Sequence, residues 1–529
     1  MLGLALNLLV ANFQHAPGYM DADYYYAGGL RLAHGQGFSE QVLWNYLDDP
    51  AGLPHPSHGY WMPLPSLVAA LGMRLGDVAD FSSARLFFVL LAAAIPPLTA
   101  ALAQALFRRE HVAWWAGLLG VWSGFYLPYL PTTDSFTLVM LLGGVYFLAV
   151  AHTHRRGWLL PRLSKAWEGD DGLYLLLGAL AGLLHLSRAE GLLWLPLAAG
   201  SAAWMAGCGR PARAWPAVLR AALLAGSGYL AMMMPWFLRN LGAFGSLLAP
   251  GGARALWITH YDELFIYPAA LLTPQRWLAS GLPALASARL DALAQNLQTF
   301  VAVQGQIVMA PFILAGLWRG RRLLAVQLAA VSWLALFLAM SLVFPWQGSR
   351  GGFFHAGAAL QPLLWAAGAM GLDAALEWAA PRRGWNLARA RRMYVPVFLA
   401  AVIALTGWAA YNRVIGGSPA QPAWDESNRR YQAVEQALRA WGAQPGERVL
   451  VNNAPGYYAA TLRPALSIPY GDLPAVLAAA QRYQARYLLV EMEQVQGQRL
   501  YADPGERDGL RYLGQAAGVQ VYRIEVGQP

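Results

Sequence analysis

QHAPGYMDADYYYAGGLRLAHGQGFSEQVLWNYLDDPAGLPHPSHGYW, residues 14–61, is the first long polar stretch in a strongly apolar chain. It sets two acids, Asp21 and Asp23, beside Tyr24, Tyr25 and Tyr26, directly after the apolar run Leu2–Phe13. Around it, 57% of the 529 residues are hydrophobic and only 13% are charged, with a mean hydropathy of +0.35. A soluble chain carries about a quarter charged residues, so the deficit places this one in a bilayer. The polar stretch is then a loop at the membrane surface.

Outward from that loop the sequence divides into apolar runs. Pro63–Leu75 is too short to span and reads as a helix at the interface. The runs Ala84–Phe107, Val112–Tyr129, Ser135–Ala151, Leu173–Leu186, Leu192–Ala206, Val218–Trp236, Leu297–Trp318, Leu323–Phe344, Ala356–Leu376 and Val395–Ala410 follow. With the first run, they give about eleven spans. Leu2–Phe13 is short for a span, which points to a start further upstream or to a short, tilted helix, and it has no basic segment or cleavage site of a signal peptide.

The formal net charge is +9, but the basic residues fall in clusters between apolar runs, not along one face. That spacing argues against nucleic-acid binding and sets topology. Arg108 and Arg109, Arg155 to Lys165, Arg210 and Arg213, Arg319 to Arg322, and Arg382 to Arg392 occupy every second connection, hence the cytoplasmic side. The first loop (14–62), a long segment (239–296) and everything after residue 410 then lie outside. The single cysteine, Cys208, excludes an intrachain disulfide and reads as an inert thiol at a helix end.

Residues 1–410 are therefore expected to form a mainly α, polytopic helical membrane domain, and 411–529 a small extracytoplasmic α/β domain. In the latter, 447–453 and 485–491 read as buried strands, 518–526 as an edge strand and 473–483 as a helix. No Gly-rich phosphate loop follows either buried strand.

The candidate chemistry lies in the outer loops. Asp21 and Asp23 can take a proton from an acceptor hydroxyl or help hold a divalent cation such as Mg²⁺ or Mn²⁺; they can equally cap the helix that follows. Asp134 is the only acid of a short outer loop shaped by Pro128 and Pro131; it caps the next helix, or it shares a cavity with the first-loop acids, where a shifted pKa would suit proton transfer. Arg188 and Glu190, at the junction of two short apolar runs, form an ion pair or face a polar cavity. Arg239 and Arg350 run against the positive-inside trend and are candidate anion ligands, a lipid phosphate being the obvious anion. His55, His58, His260 and His355 lack the spacing of a zinc motif. Tyr24 to Tyr26 and Trp61 read as interfacial anchors, with sugar stacking as the alternative.

At MDADYYYAGGLRLAHGQGF (20–38), YWMPLP (60–65), SRAEGLLWLP (187–196) and PWFLRN (235–240) the chain resembles the GT-C superfamily of integral-membrane glycosyltransferases, in particular bacterial relatives of the protein O-mannosyltransferase and aminoarabinose-transferase group. The resemblance covers most of the membrane region. It implies a polyprenyl-phosphate sugar donor, a catalytic acid in the first outer loop and a second acid between the third and fourth spans. Asp-Ala-Asp stands where many members have Asp-Glu, so the first role falls on Asp21 or Asp23 and the second on Asp134. Asp21, with Tyr25 four residues on, fits the pattern, and Tyr25 becomes a substrate contact beside Arg188, Glu190, Arg239 and Arg350.

The expected activity is transfer of a sugar from a polyprenyl-phosphate carrier to a protein, glycan or lipid acceptor at the outer face of a bacterial cytoplasmic membrane, by displacement with inversion. A transporter or flippase, or a non-catalytic assembly protein, is the rival reading. The gathering of charge at outer helix ends instead of mid-membrane weighs against the transporter.

Overall fold

The computed structural model describes residues 1–153, 171–207, 215–492 and 498–525. Cys208, the basic clusters Arg155 to Lys165 and Arg210 to Arg213, and Val526 at the end of the expected last strand lie outside the described residues. The chain is mainly helical. Among the described residues five helices are long and apolar enough to cross a membrane: Phe81–Phe107, Ser135–His152, Trp215–Phe244, Leu324–Val343 and Leu387–Ile415. Other apolar runs fold as shorter helices, among them Glu110–Val121 (12 residues), Asp171–Ser187 (17), Trp194–Gly207 (14) and Ala310–Arg319 (10). A straight span needs about 20 residues, so hydropathy reads more spans, about eleven, than helix length supports.

The bundle closes through small residues. A Cβ on Gly371 would sit 1.7 Å from the Phe312 carbonyl oxygen, and one on Gly316 would sit 1.8 Å from that of Ala367. Ala310–Arg319 and Gln361–Arg383 therefore touch backbone to backbone, the packing that holds helices together where the hydrophobic effect does not. Two basic connections meet at one end of these helices: Arg109 and Arg391 both bind Asp373 and Glu377, and the Asp373 side chain is fully buried.

A six-stranded sheet runs in the order β2 (Val42–Leu43), β5 (Ala465–Ser467), β4 (Arg448–Val451), β6 (Ala485–Val490), β8 (Val519–Ile524), β7 (Leu510–Ala516). The expected buried strands are β4 (Arg448–Val451) and β6 (Ala485–Val490), and the expected helix is Leu473–Tyr483. The last strand differs from expectation. β8 (Val519–Ile524) is not at the edge, because β7 (Leu510–Ala516) folds back on it through Ala517 and Gly518. Both turn residues have positive φ, as a tight hairpin requires. The opposite edge is β2, Val42–Leu43 of the first loop, which runs parallel to β5 (Ala465–Ser467). One sheet is thus assembled from the two ends of the chain.

Within the first loop, β1 (Ser39–Glu40) pairs antiparallel with β3 (His55–Pro56), and Glu40 stands opposite His55. His55 is buried. Its Nε2 lies 3.0 Å from the Val42 carbonyl oxygen and 3.2 Å from Glu40, and its Nδ1 lies 3.5 Å from Asp48. Burial pushes the imidazole down, but Glu40 and Asp48 outweigh it and hold His55 up at about 9. Burial likewise pushes Glu40 up to about 7.

Both folded values exceed the unfolded ones. The His55 contribution is therefore complete below about pH 6.5 and is lost as pH rises through 9, and Glu40 acts in the same direction at lower pH. A shift of this size is worth about 3 kcal/mol. The unfolding temperature of the detergent-solubilised protein should fall steeply between about pH 6.5 and pH 9, and His55→Gln should flatten that slope. Identical slopes in the two proteins would refute the assignment.

Candidate active site

The first loop folds as the helix Met20–Ala33, with Tyr19 as its N-cap residue and no side-chain cap bond. Asp21 and Asp23 are thus free of the capping role and lie in the first turn, where the helix dipole favours acids. Two residues apart on a helix is about 200°, so the carboxylates point to different sides. Asp21 faces the helical bundle, 3.5 Å from Nε2 of His355. Asp23 faces the C-terminal region and accepts a 2.9 Å hydrogen bond from the Asn453 amide. Tyr25, four residues on, shares the Asp21 side.

Asp134 stands directly before the helix Ser135–Thr153. Its Oδ1 accepts from the backbone N–H and the hydroxyl of Ser135. Its Oδ2 accepts from the Tyr19 hydroxyl at 2.6 Å and faces Nε2 of His355 at 3.1 Å. One ligating atom from each of Asp21, Asp134 and His355 lies within 4.8 Å of the others, the one such convergence of three among the described residues.

The two acids sit in different environments. The Asp134 side chain is fully enclosed, whereas that of Asp21 is 23% exposed. Burial pushes Asp21 above the usual carboxylate range, against the pull of His355. For Asp134 burial is outweighed by His355 and Tyr19, which hold it low. Two neighbouring carboxylates driven apart in this way are suited to different tasks, one to exchange a proton and one to stay charged.

His355 fixes the chemistry of the cluster's third side. Its Nδ1 is 2.9 Å from the Gly351 carbonyl oxygen, so Nδ1 carries the proton there. Its ring stacks on Phe136 at 3.9 Å. Nε2 then meets two carboxylates and needs either a proton or a shared cation. The N···O separations of 3.1 and 3.5 Å suit donors bridged by a cation with bonds of about 2.0–2.2 Å. A set of two carboxylates and one imidazole is thus compatible with a divalent metal.

Arg188 pairs with Glu190 beside the cluster, and its Nη1 lies 3.4 Å from the Ser135 hydroxyl. The Tyr25 hydroxyl is buried with no hydrogen-bond partner among the described residues, in the field of Arg188, Asp134 and Asp21. Arg350 is exposed, with its guanidinium 5.3 Å from the Tyr261 ring. Arg239 is elsewhere. It donates to the Phe38 and Ser57 carbonyl oxygens at 3.1 and 2.7 Å and lies over Trp236, so it ties down the first loop.

His58 sits between the Ser57 and Ser66 hydroxyls, and His260 lies against Tyr470; neither joins the cluster. The expectation of interfacial aromatics is corrected as well: Tyr24, Tyr25 and Tyr26 are buried, and the half-buried Trp61 stacks on the buried Trp44 at 4.0 Å. Tyr19 and Tyr261 were not singled out in the sequence, and only their place beside acids from other loops marks them.

Neither a family model nor a curated protein sequence matches the chain. Solved structures do. ArnT from Cupriavidus metallidurans bound to undecaprenyl phosphate superposes with a TM-score of 0.57 at 12% identity, over 98% of this chain and 96% of that one. The oligosaccharyltransferase of Archaeoglobus fulgidus in complex with Zn and sulfate gives 0.55 at 13%, over 95% of this chain and 69% of that one. The arabinofuranosyltransferase AftD from mycobacteria gives 0.52 at 16%, over 99% of this chain and 40% of that one. What the chain shares with these three structures is the fold.

Proposed function

We propose that the chain is a membrane glycosyltransferase that moves a sugar from a polyprenyl-phosphate donor to an acceptor at the outer face of a bacterial cytoplasmic membrane. The observation that carries this reading is the convergence of Asp21, Asp134 and His355 from three separate segments. The ArnT neighbour holds undecaprenyl phosphate, which supports the donor class.

Asp21 is the general base. The acceptor oxygen bonds to the anomeric carbon as its proton passes to Asp21, and the bond from that carbon to the phosphate oxygen breaks, its electron pair leaving with the phosphate. Attack opposite the leaving group inverts the anomeric centre. Asp134 remains ionised and orients His355, and the guanidinium groups of Arg350 and Arg188 would meet the charge on the donor phosphate. A divalent cation such as Mg²⁺ or Mn²⁺, held by Asp21, Asp134 and His355, would neutralise charge on the donor phosphate.

An apolar groove of about 330 Å³ between Trp194–Gly207 and Leu324–Leu338 suits the lipid chain. Leu193 and Trp194 form one of its walls, within six residues of Arg188. The test is release of sugar from radiolabelled polyprenyl-phosphate sugars by purified protein in liposomes. Release that depends on Asp21 supports transfer. Flux of the labelled lipid across the bilayer with no covalent product would assign transport instead.

A further inference from the structure

We propose that the C-terminal region is a structural half of the site, and that Asn453 is a positioning residue which sets the orientation of the Asp21-bearing helix through Asp23. The helix Met20–Ala33 lies between two partners. On one side it packs on Leu64–Gly76, and on the other on Ala454–Thr461 of the C-terminal region. Tyr458 joins Tyr24, Tyr25 and Trp44 in one buried cluster, and Ala459 packs against a second that holds Tyr26 and Leu30.

The polar contacts bracket Asp21. Upstream of it, Asp425 accepts from the backbone N–H groups of His15 and Ala16 at 2.9 and 3.1 Å, and the Trp424 indole donates to the Ala16 carbonyl oxygen at 3.0 Å. Downstream, Asn453 donates to Asp23, which is 5% exposed. The Asn453 amide is fixed at both ends, because its Oδ1 accepts from the Gly456 N–H at 3.0 Å. A Cβ on Gly456 would come within 2.8 Å of the Asp23 carboxylate. The pairing of β2 with β5 adds a third tie between loop and sheet. Residues more than 400 positions away in sequence thus hold both flanks of Asp21.

The assignment separates the two acids of Asp-Ala-Asp: Asp21 meets the reacting groups, and Asp23 anchors. The decisive pair of variants is Asn453→Ala and the exchange Asp23→Asn with Asn453→Asp, which restores an amide–carboxylate bond and keeps an N-cap acceptor at 453. Two readouts are needed: hydrogen–deuterium exchange over residues 20–33, which requires no substrate, and steady-state sugar transfer, which rests on the function proposed above.

Asn453→Ala should speed exchange in the helix about tenfold and lower kcat about 10- to 100-fold with little change in the donor KM, since the reacting group is displaced while donor contacts remain. The exchange variant should recover both to within about threefold. Unaltered amide exchange in Asn453→Ala would overturn the proposal. So would recovery of amide exchange without recovery of kcat, which would make the ionised Asp23 carboxylate itself a chemical participant. If the unaltered protein transfers no sugar from any donor, the transferase reading fails alone and amide exchange decides this inference.

Discussion

Asp21→Asn is expected to abolish transfer, lowering kcat by about 10²- to 10⁴-fold while the protein inserts and unfolds at an unchanged temperature. The amide is nearly isosteric with the carboxylate, and Asp21 supports little of the fold: it neither caps its helix nor binds another element except through the 3.5 Å approach to His355. It does hold the accessible oxygens of the cluster, at 23% exposure against none for Asp134, and burial keeps its carboxyl above the ordinary range. An amide cannot accept the acceptor's proton, so the loss should appear in kcat. Asp134→Asn serves as the contrast. That side chain receives hydrogen bonds from Ser135 and Tyr19 and faces His355, so its replacement should lower thermal stability together with activity. Turnover by Asp21→Asn at the unaltered rate would sink the general-base role.

Asp134 is legible as the single acid of a short polar loop in an apolar chain, and Asp21 as one of two acids set beside three tyrosines in the first loop. His355 was visible only as one of several unspaced histidines, because its partner Asp134 lies 221 residues earlier and no motif spacing encodes that approach. The choice between Asp21 and Asp23 was likewise open in the sequence. It turns on what each side of the helix Met20–Ala33 packs against, and the Asp23 side meets Asn453, 430 residues away.

β2 escaped notice because a two-residue strand carries no periodicity, and its partner is in the last quarter of the chain. The edge assignment of 518–526 failed for a local reason: β7 reads LRYLGQA, with weak alternation, so the hairpin that covers β8 left little signal beyond Ala517-Gly518. Aromatic residues in a surface loop resemble membrane anchors by composition, and only the stacking of Trp44 on Trp61 reveals a loop with its own interior.

The second large loss is expected at His355, where two variants separate a proton from a metal. Because Nδ1 donates to Gly351, Nε2 is the atom turned toward Asp134 and Asp21. If it carries a proton, His355 acts as a hydrogen-bond donor between two carboxylates, a part that the glutamine amide can take over. If Nε2 is a ligand, glutamine replaces an imidazole nitrogen with a far poorer donor to a divalent cation. With a divalent cation bound by Asp21, Asp134 and His355, His355→Ala and His355→Gln should both lose transfer by about 10- to 100-fold or more. Mn²⁺ binding, followed by the loss of the free-ion electron paramagnetic resonance signal, should weaken in both variants by a similar factor and should also weaken in Asp134→Asn. Activity of the unaltered protein should vanish with chelator and return with Mg²⁺ or Mn²⁺. Near-normal transfer by His355→Gln, together with insensitivity to chelator, would instead leave His355 as a proton-bearing bridge and remove the cation from the site.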